Sequence, residues 1–356
     1  INGDGREDFY IGAASENDGS FFIQNSNGNF SEKKLKKDTL YEDMGVLLFD
    51  ADNDNDLDLY VVSGSSENTE GTAMQQDRLY LNDGKGNFTY KPDAVPETKA
   101  SGSCVVACDY DKDGDLDLFI GGRVVPGSYP LAAKSYLLKN DFFSPSPKGE
   151  GRGEVKFSDV SATELPHRGK IGMVTSALWT DYDNDGWIDL MLVGEFMPIT
   201  FIKNENGKLA INSLAAIDGS QGWWNSIAAA DFDEDGDIDY ITGNLGLNTR
   251  HKASAKEPLC VYAKDFDKNG RLDPVMCYYV GGKNYIYHTR DEMIKQIAAM
   301  RGRFQSYKDF ASVTFEESFT RQELSDALVV KSECFESSYI ENKGNGKFER
   351  KALPLE

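Results

Sequence analysis

Apolar positions in this chain fall in short runs, and two kinds of polar punctuation separate them. The first kind is a nine-residue acidic loop such as Asp231-Phe232-Asp233-Glu234-Asp235-Gly236-Asp237-Ile238-Asp239, entered and left by apolar or aromatic stretches like 116–120 and 188–193. The second is an Asn/Gly cluster, at 25–30, 82–88, 204–209 and 342–348. Runs of this length between turn residues read as strands, and Asn or Gly between two of them is hairpin chemistry because tight turns need positive φ. Each unit therefore reads strand, acidic loop, strand, longer loop, strand, Asn/Gly turn, strand. Four antiparallel strands recurring at intervals of about 50 to 70 residues describe a β-propeller blade.

The chain opens inside such a unit, with strands expected at 9–12 and 21–24, and full units follow at 45–91, 103–162 and 173–212. The third carries the Pro/Gly-rich stretch 144–153, expected to be a mobile loop tip. A further unit starts near Trp224, but only 34 residues separate Asp239 from Asp273. Either a short blade is followed by another or one blade holds two acidic loops. From Thr289 the period turns helical: Met293, Ile297, Met300 and Phe304 form a stripe, and Asp291 and Glu292 lie where a helix dipole favours acids. Further short helices are expected at 307–319 and 321–328, so 289–332 reads as a helical insertion before a last hairpin. The expectation is an all-β chain with five to six blades in one domain, 1–356.

The acidic loops carry the chemistry. Carboxylates at positions 1, 3, 5 and 9 converge on one cation only if the backbone curls tightly, which a glycine at position 6 permits. Five copies fit: Asp50, Asp52, Asp54, Asp58; Asp109, Asp111, Asp113, Asp117; Asp181, Asp183, Asp185, Asp189; Asp231, Asp233, Asp235, Asp239; and Asp265, Asp267, Asn269, Asp273. Position 7 varies as Asp56, Asp115, Trp187, Asp237 and Arg271, which suits a ligand that uses only the backbone carbonyl. Position 6 is glycine except for Asn55, and Asn is the next most tolerant residue of a left-handed backbone. At the start, Asn2, Asp4, Arg6 and Asp8 match positions 3, 5, 7 and 9 of a partial sixth loop. Acidic surface turns would show the same residues singly, but not the same spacing five times. Five Ca²⁺ are expected, with a sixth, partial site at the N-terminus.

The net charge of -21 argues against nucleic acid, whose phosphates want a basic face. Much of that charge is local, since four loops supply four carboxylates each at their ligand positions and the fifth supplies three. Without cations these clusters should repel and loosen the chain. No run is long enough to cross a membrane. Cys104 and Cys108 share one face of a strand about 13 Å apart, too far to bridge. Cys260 and Cys277 flank an acidic loop and are read as buried thiols, with a bridge across the hairpin as the alternative.

On these loops and hairpins the sequence resembles the FG-GAP/VCBS repeat family, the integrin-α-type β-propellers, and more closely the long bacterial secreted proteins that carry such repeats. The resemblance covers nearly all of the chain except 289–332. It implies a calcium-binding propeller of about seven blades, with metal on one rim and ligands on the other, on a secreted or surface-exposed protein whose ring is closed by flanking sequence and which carries further domains.

A poised catalytic constellation is not visible. His167, His251 and His288 are isolated, and there is no HExxH, nucleophile elbow or phosphate-cradling loop. The rim opposite the acidic loops has unusual contents, and Arg123, Tyr129, Arg168 and Trp223 are candidate ligand contacts. Trp223 and Trp224 alternate faces, so at least one is a packing residue. The reading is an extracellular binding module for a protein or glycan, not an enzyme. The rivals are a polysaccharide-acting enzyme or its accessory domain, and a scaffold that only spaces other domains.

Overall fold

Alternation of apolar residues between two buried faces explains the sheets of this chain. In the computed structural model, which describes residues 1–35, 39–141, 154–212 and 215–354, β1 (Phe9–Ile11), β2 (Ser20–Gln24) and β3 (Phe30–Lys34) form a three-stranded antiparallel sheet. The next sheet runs β4 (Asp43–Phe49), β5 (Asp58–Ser63), β6 (Arg78–Leu81) and β7 (Thr89–Tyr90) in sequence order. All six residues of β5 are buried. Its odd positions, Leu59 and Val61, pack with Tyr10, Phe21 and Tyr80. Its even positions, Tyr60 and Val62, pack with Val105, Leu118, Ile120 and Leu138. One strand thus serves two cores, each buried aliphatic adding about 1.5–3 kcal/mol over an exposed one.

The third sheet has the same plan: β8 (Gly102–Cys108), β9 (Asp117–Gly122), β10 (Tyr136–Asn140) and β11 (Phe157–Asp159), followed by a single helical turn, α1 (Ser161–Glu164). The Pro/Gly-rich stretch 144–153 lies outside the described residues. β12 (Met173–Thr180), β13 (Asp189–Met197), β14 (Thr200–Asn204) and β15 (Leu209–Ile211) form the first half of an eight-stranded sheet, whose second half joins where the end of β13 pairs with the strand that begins at Gly222. The expected units 45–91, 103–162 and 173–212 thus coincide with three four-stranded antiparallel arrays, two of them separate sheets and the third half of the eight-stranded one, each with its acidic loop between the first two strands. The chain is all-β and blade-built.

The crowded stretch after Trp224 resolves into two nested sheets. β16 (Gly222–Ala230) pairs with β17 (Asp239–Asn244), yet the partner of β17 on its other side comes from far downstream. Between them lies a separate sheet built from β18 (Leu259–Lys264), β19 (Asp273–Val280) and β20 (Lys283–Ile286). The helices α2 (Arg290–Gln296), α3 (Met300–Arg303), α4 (Tyr307–Ser312), α5 (Phe315–Ser318) and α6 (Arg321–Leu324) follow, and β21 (Leu328–Ser332) returns to the free edge of β18. Only then do β22 (Ser338–Asn342) and β23 (Phe348–Ala352) complete the sheet of β16 and β17.

Two expectations are corrected here. The helices occupy 290–324 and residues 328–332 are strand, so the helical insertion at 289–332 is one part of a longer interruption, 245–337, that brings its own sheet and acidic loop. Cys260 and Cys277 are bridged, not free: antiparallel register sets them directly opposite, with Cα atoms 5.1 Å apart. The helical stripe does mark a core, since Met293, Ile297, Met300 and Phe304 are all buried with Val275, Ile286, Phe315 and Phe319. It runs over two short helices because Ile297 is extended and ends the first. Capping boxes start four of the five, at Thr289/Glu292, Ser306/Asp309, Thr314/Glu317 and Thr320/Glu323, which is why the run 307–319 breaks at Thr314.

The chain divides into two compact units, one of residues 1–126, 132–192 and 201–212, the other of 127–131, 193–200 and 213–356. Among the described residues no helix is long and apolar enough to cross a membrane.

Candidate metal centres

All five acidic loops share one hydrogen-bonded skeleton. The position-1 carboxylate accepts the backbone N–H of position 6 in every copy: Asn55 to Asp50 at 2.9 Å, Gly114 to Asp109 at 3.2 Å, Gly186 to Asp181 at 2.9 Å, Gly236 to Asp231 at 3.1 Å and Gly270 to Asp265 at 2.8 Å. The position-5 side chain accepts the N–H of position 7, from Asp54, Asp113, Asp185, Asp235 and Asn269 at 2.8 to 3.4 Å. Two residues per loop are left-handed. Position 6 is one, with φ of 68° at Asn55 and 84° to 100° at the glycines. Position 4 is the other, and here Asn53, Lys112, Asn184, Glu234 and Lys268 all hold positive φ. No Cβ built on Gly114, Gly186, Gly236 or Gly270 would meet an atom within 4 Å, so dihedral freedom, not space, selects glycine there.

This skeleton turns three carboxylates toward one point. Positions 1, 3 and 9 form the triads Asp50/Asp52/Asp58, Asp109/Asp111/Asp117, Asp181/Asp183/Asp189, Asp231/Asp233/Asp239 and Asp265/Asp267/Asp273, with candidate ligand oxygens within 4.8 Å of one another. The position-5 and position-7 side chains are not part of these groups. Position 9 is buried in every triad, with Asp58, Asp117, Asp189 and Asp239 fully enclosed, and Asp52 is buried as well. Burial and the neighbouring charges of Asp111, Asp113 and Asp115 push Asp117 up to about 8 against the hydrogen bond from Asn140. Burial likewise raises Asp58 and Asp189 to about 7. Asp117 Oδ2, Asp111 Oδ1 and Asp237 Oδ1 are buried without a hydrogen-bond donor. Convergent carboxylate oxygens in this state fit a hard divalent cation, which takes oxygen ligands.

For four of the five loops, the third strand supplies a contact that loop spacing does not reveal. Asn82, Asn140, Asn204 and Asn342 donate their backbone N–H to Asp58, Asp117, Asp189 and Asp239 at 2.7 to 2.8 Å. The Asn side chains then reach position 2 of the preceding loop: Asn140 Nδ2 donates to the Ala51 carbonyl at 3.0 Å and Asn204 Nδ2 to that of Tyr110 at 2.7 Å. Asn82 does the same to Ile1 at 2.8 Å. The sequence marks Asn82, Asn204 and Asn342 only as the first Asn of a hairpin cluster, and Asn140 stands in no such cluster. Their recurrence at a fixed place after the third strand is the signal that could have found them.

Three stretches, 1–61, 50–120 and 150–242, match the FG-GAP-like repeat family. The chain belongs to it. Among curated proteins none matches this sequence. The crystal structure of the V. cholerae biofilm matrix protein Bap1 aligns over 99% of this chain and 64% of its own length, at 12% identity and a TM-score of 0.25. The loop 265–273 lies outside the matched FG-GAP stretches, although its skeleton is the same.

The partial loop keeps part of the FG-GAP skeleton. Arg6 N–H donates to Asp4 Oδ1 at 3.0 Å, and Gln24 N–H to Asp8 Oδ1 at 2.8 Å, as at positions 5 and 9 of the full copies. Asn2 Nδ2 donates to Asp4 Oδ2 at 2.9 Å and the Arg6 guanidinium pairs with the same oxygen.

The candidate ligand contacts divide between the units. Arg123 is half-buried just past β9, and Arg168 is exposed with φ of 57°. In the second unit, Tyr129 and Trp223 meet through Phe196, whose ring lies 6.3 Å from Tyr129 and 5.1 Å from Trp223. Trp224 is fully buried and donates Nε1–H to the Ser220 carbonyl at 2.8 Å, so it is the packing member of the pair. The histidines are dispersed: His167 is exposed, His251 stacks on Tyr287 at 4.8 Å, and His288 Nε2 accepts the Met276 N–H at 3.2 Å.

Proposed function

We propose that this FG-GAP chain is a calcium-stabilised extracellular module that binds a protein or a glycan, and that it is not an enzyme. The observation that carries the reading is the repetition of one loop skeleton, with one carboxylate triad whose position-9 member is buried, in five places. A catalytic metal keeps an open position and differs from its neighbours, whereas five equivalent oxygen clamps serve the fold. Positions 1, 3 and 9 would hold the ion. Calcium, when bound, neutralises the triad and ties the first hairpin of each sheet together. The protein's own part is to hold position 9 by the third-strand Asn and position 1 by the curled loop.

Two facts favour an oxidising, calcium-rich compartment. The Cys260–Cys277 bridge belongs to such an environment, and sites of modest affinity fill at millimolar calcium. Burial pushes the Cys104 and Cys334 thiols up to about 11, so they are inert structural residues. Ligand contact is assigned to the edge away from the metal loops, where Tyr129, Phe196 and Trp223 gather aromatic surface in one unit. Arg123 and Arg168 offer cationic contacts in the other.

Chelation tests the metal: EDTA should lower the melting temperature by about 10 °C or more, with recovery on adding calcium. A melt indifferent to EDTA and calcium would sink this reading. A glycan array and a glycan-degradation assay on the calcium-loaded protein separate binding from hydrolysis, product formation being the result that favours the enzyme.

A further inference from the structure

The residue just before the third-strand Asn differs between repeats: Leu81, Lys139, Lys203 and Glu341. In two repeats its ammonium stands among the loop carboxylates. Lys203 Nζ lies 2.7 Å from Asp183, 2.7 Å from Asp185 and 3.4 Å from Asp189. Lys139 Nζ pairs with Asp111 and lies 3.0 Å from Asp113. Asp111, Asp183 and Asp189 are triad members, so each ammonium is paired with carboxylates that a divalent ion would use.

The other unit offers a contrast. Among the described residues no lysine or arginine pairs with the carboxylates of 231–239 or 265–273. The equivalent residue in the first of these is Glu341, itself paired with Lys351 at 2.6 Å and with Lys343. The lysines do not satisfy their loops completely, since the fully buried Asp117 still has Oδ2 without a donor.

Resting on the calcium reading above, we propose that Lys139 and Lys203 are tethered counter-ions that make 109–117 and 181–189 the weak members of a graded set of calcium sites. Calcium must displace the ammonium from oxygens it already occupies, and the lysine regains them when calcium falls. A single positive charge answers part of the triad's repulsion, so the metal-free loop stays folded. A double charge answers more of it, so calcium wins at high concentration. The 231–239 and 265–273 loops bind without this competitor and fill first.

Substitution of each lysine by methionine keeps the stem and removes the charge. Trp187 lies within the 181–189 loop and sensitises terbium bound there, which makes that site readable on its own. Terbium titration of K203M, with W187F as the blank, should reach half-saturation at about tenfold lower concentration than wild type. Calorimetric calcium titration of K139M should move one site by a similar factor. Both variants should melt lower than wild type in EDTA and no lower in saturating calcium, a calcium-dependent loss of the defect that mere loss of packing would not give. Half-saturation and EDTA melting equal to wild type in both variants would overturn the proposal while leaving the calcium reading intact. Failure of wild type and variants alike to bind calcium or terbium would remove both. Either variant suffices if the other does not fold.

Discussion

The 181–189 and 265–273 loops share a backbone and differ in what holds them from outside. Asp189 is fixed by Asn204 N–H at 2.7 Å, and Asn204 Nδ2 joins the carbonyls of Ile188 at 3.0 Å and Tyr110 at 2.7 Å, the latter in the neighbouring loop. Among the described residues no such Asn serves 265–273. Asp273 accepts from Phe266 N–H at 3.0 Å within its own loop, and the adjoining Pro274 carbonyl is met by Gln296 of α2 at 2.9 Å. The rest is apolar and covalent: Phe266 packs on Phe319 at 5.0 Å, and the strands beyond are bridged through Cys260 and Cys277. A blade stacked on other blades borrows its anchor from the chain before it. The inserted sheet brings its own, in helices and a disulfide.

The sharpest break of this contrast is at the anchors. Asn204→Ala removes a fully buried amide and strands two carbonyls, so it should cost about 2–4 kcal/mol in calcium-loaded denaturant unfolding. Gln296→Ala, at a half-buried side chain making one such bond, should cost about 0.5–1 kcal/mol. Equal losses would mean that the two loops are held alike after all.

How much of this was legible in sequence follows from the same residues. Strand and loop order in the three regular sheets could be read because turn chemistry and apolar alternation are local. The triads lay within the set that spacing gives, positions 1, 3, 5 and 9, but spacing alone does not single out position 5 as the one left aside. Lys139 and Lys203 were not legible, since their roles depend on the register between the second and third strands, which loop spacing does not give. The nested sheet was equally hidden, because nothing near β17 announces that its partner β22 lies some hundred residues on; Tyr240 pairs with Ile340. The four capping boxes were local and could have been read, and they would have divided the helices correctly. The Cys260–Cys277 bridge required the hairpin register that brings the two residues opposite.

Acidity offers a second way to sharpen the contrast between units, through signs that oppose. In the first unit, burial pushes Asp77 up to about 7 although Ser63 N–H donates to it at 2.8 Å and Tyr60 hydroxyl at 3.1 Å. A carboxyl raised above its ordinary 3.8 binds more protons folded than unfolded, so its contribution is full below about 4 and is lost as pH rises through about 7. In the second unit, Arg303 at 2.6 Å holds Glu323 down at about 2. That contribution is present above the ordinary 4.5 and lost as pH falls toward 2, though solvent at this partly exposed pair keeps it small. Relative to wild type, Asp77→Asn should flatten the fall in stability between pH 4 and 7. Glu323→Gln should leave that window unchanged and flatten only the acid side. Identical pH–stability curves for wild type and Asp77→Asn would refute the first expectation.

The smallest effect probes what the two loops have in common. Position 6 is Gly186 at φ of 87° in one and Gly270 at 84° in the other, and an added Cβ meets nothing within 4 Å at either. Asn55 already holds this position at 68° in the 50–58 loop. Gly186→Asn and Gly270→Asn should therefore each cost under about 1 kcal/mol, and by equal amounts. Gly→Val at the same sites should cost about 2 kcal/mol, because a β-branched residue resists positive φ whatever the room around it. Thermal unfolding in calcium reads the difference. A large penalty for Asn at 186 alone would mean that Lys203 and Asn204 constrain the loop backbone as well as its charges, and that the skeleton is not independent of its anchors.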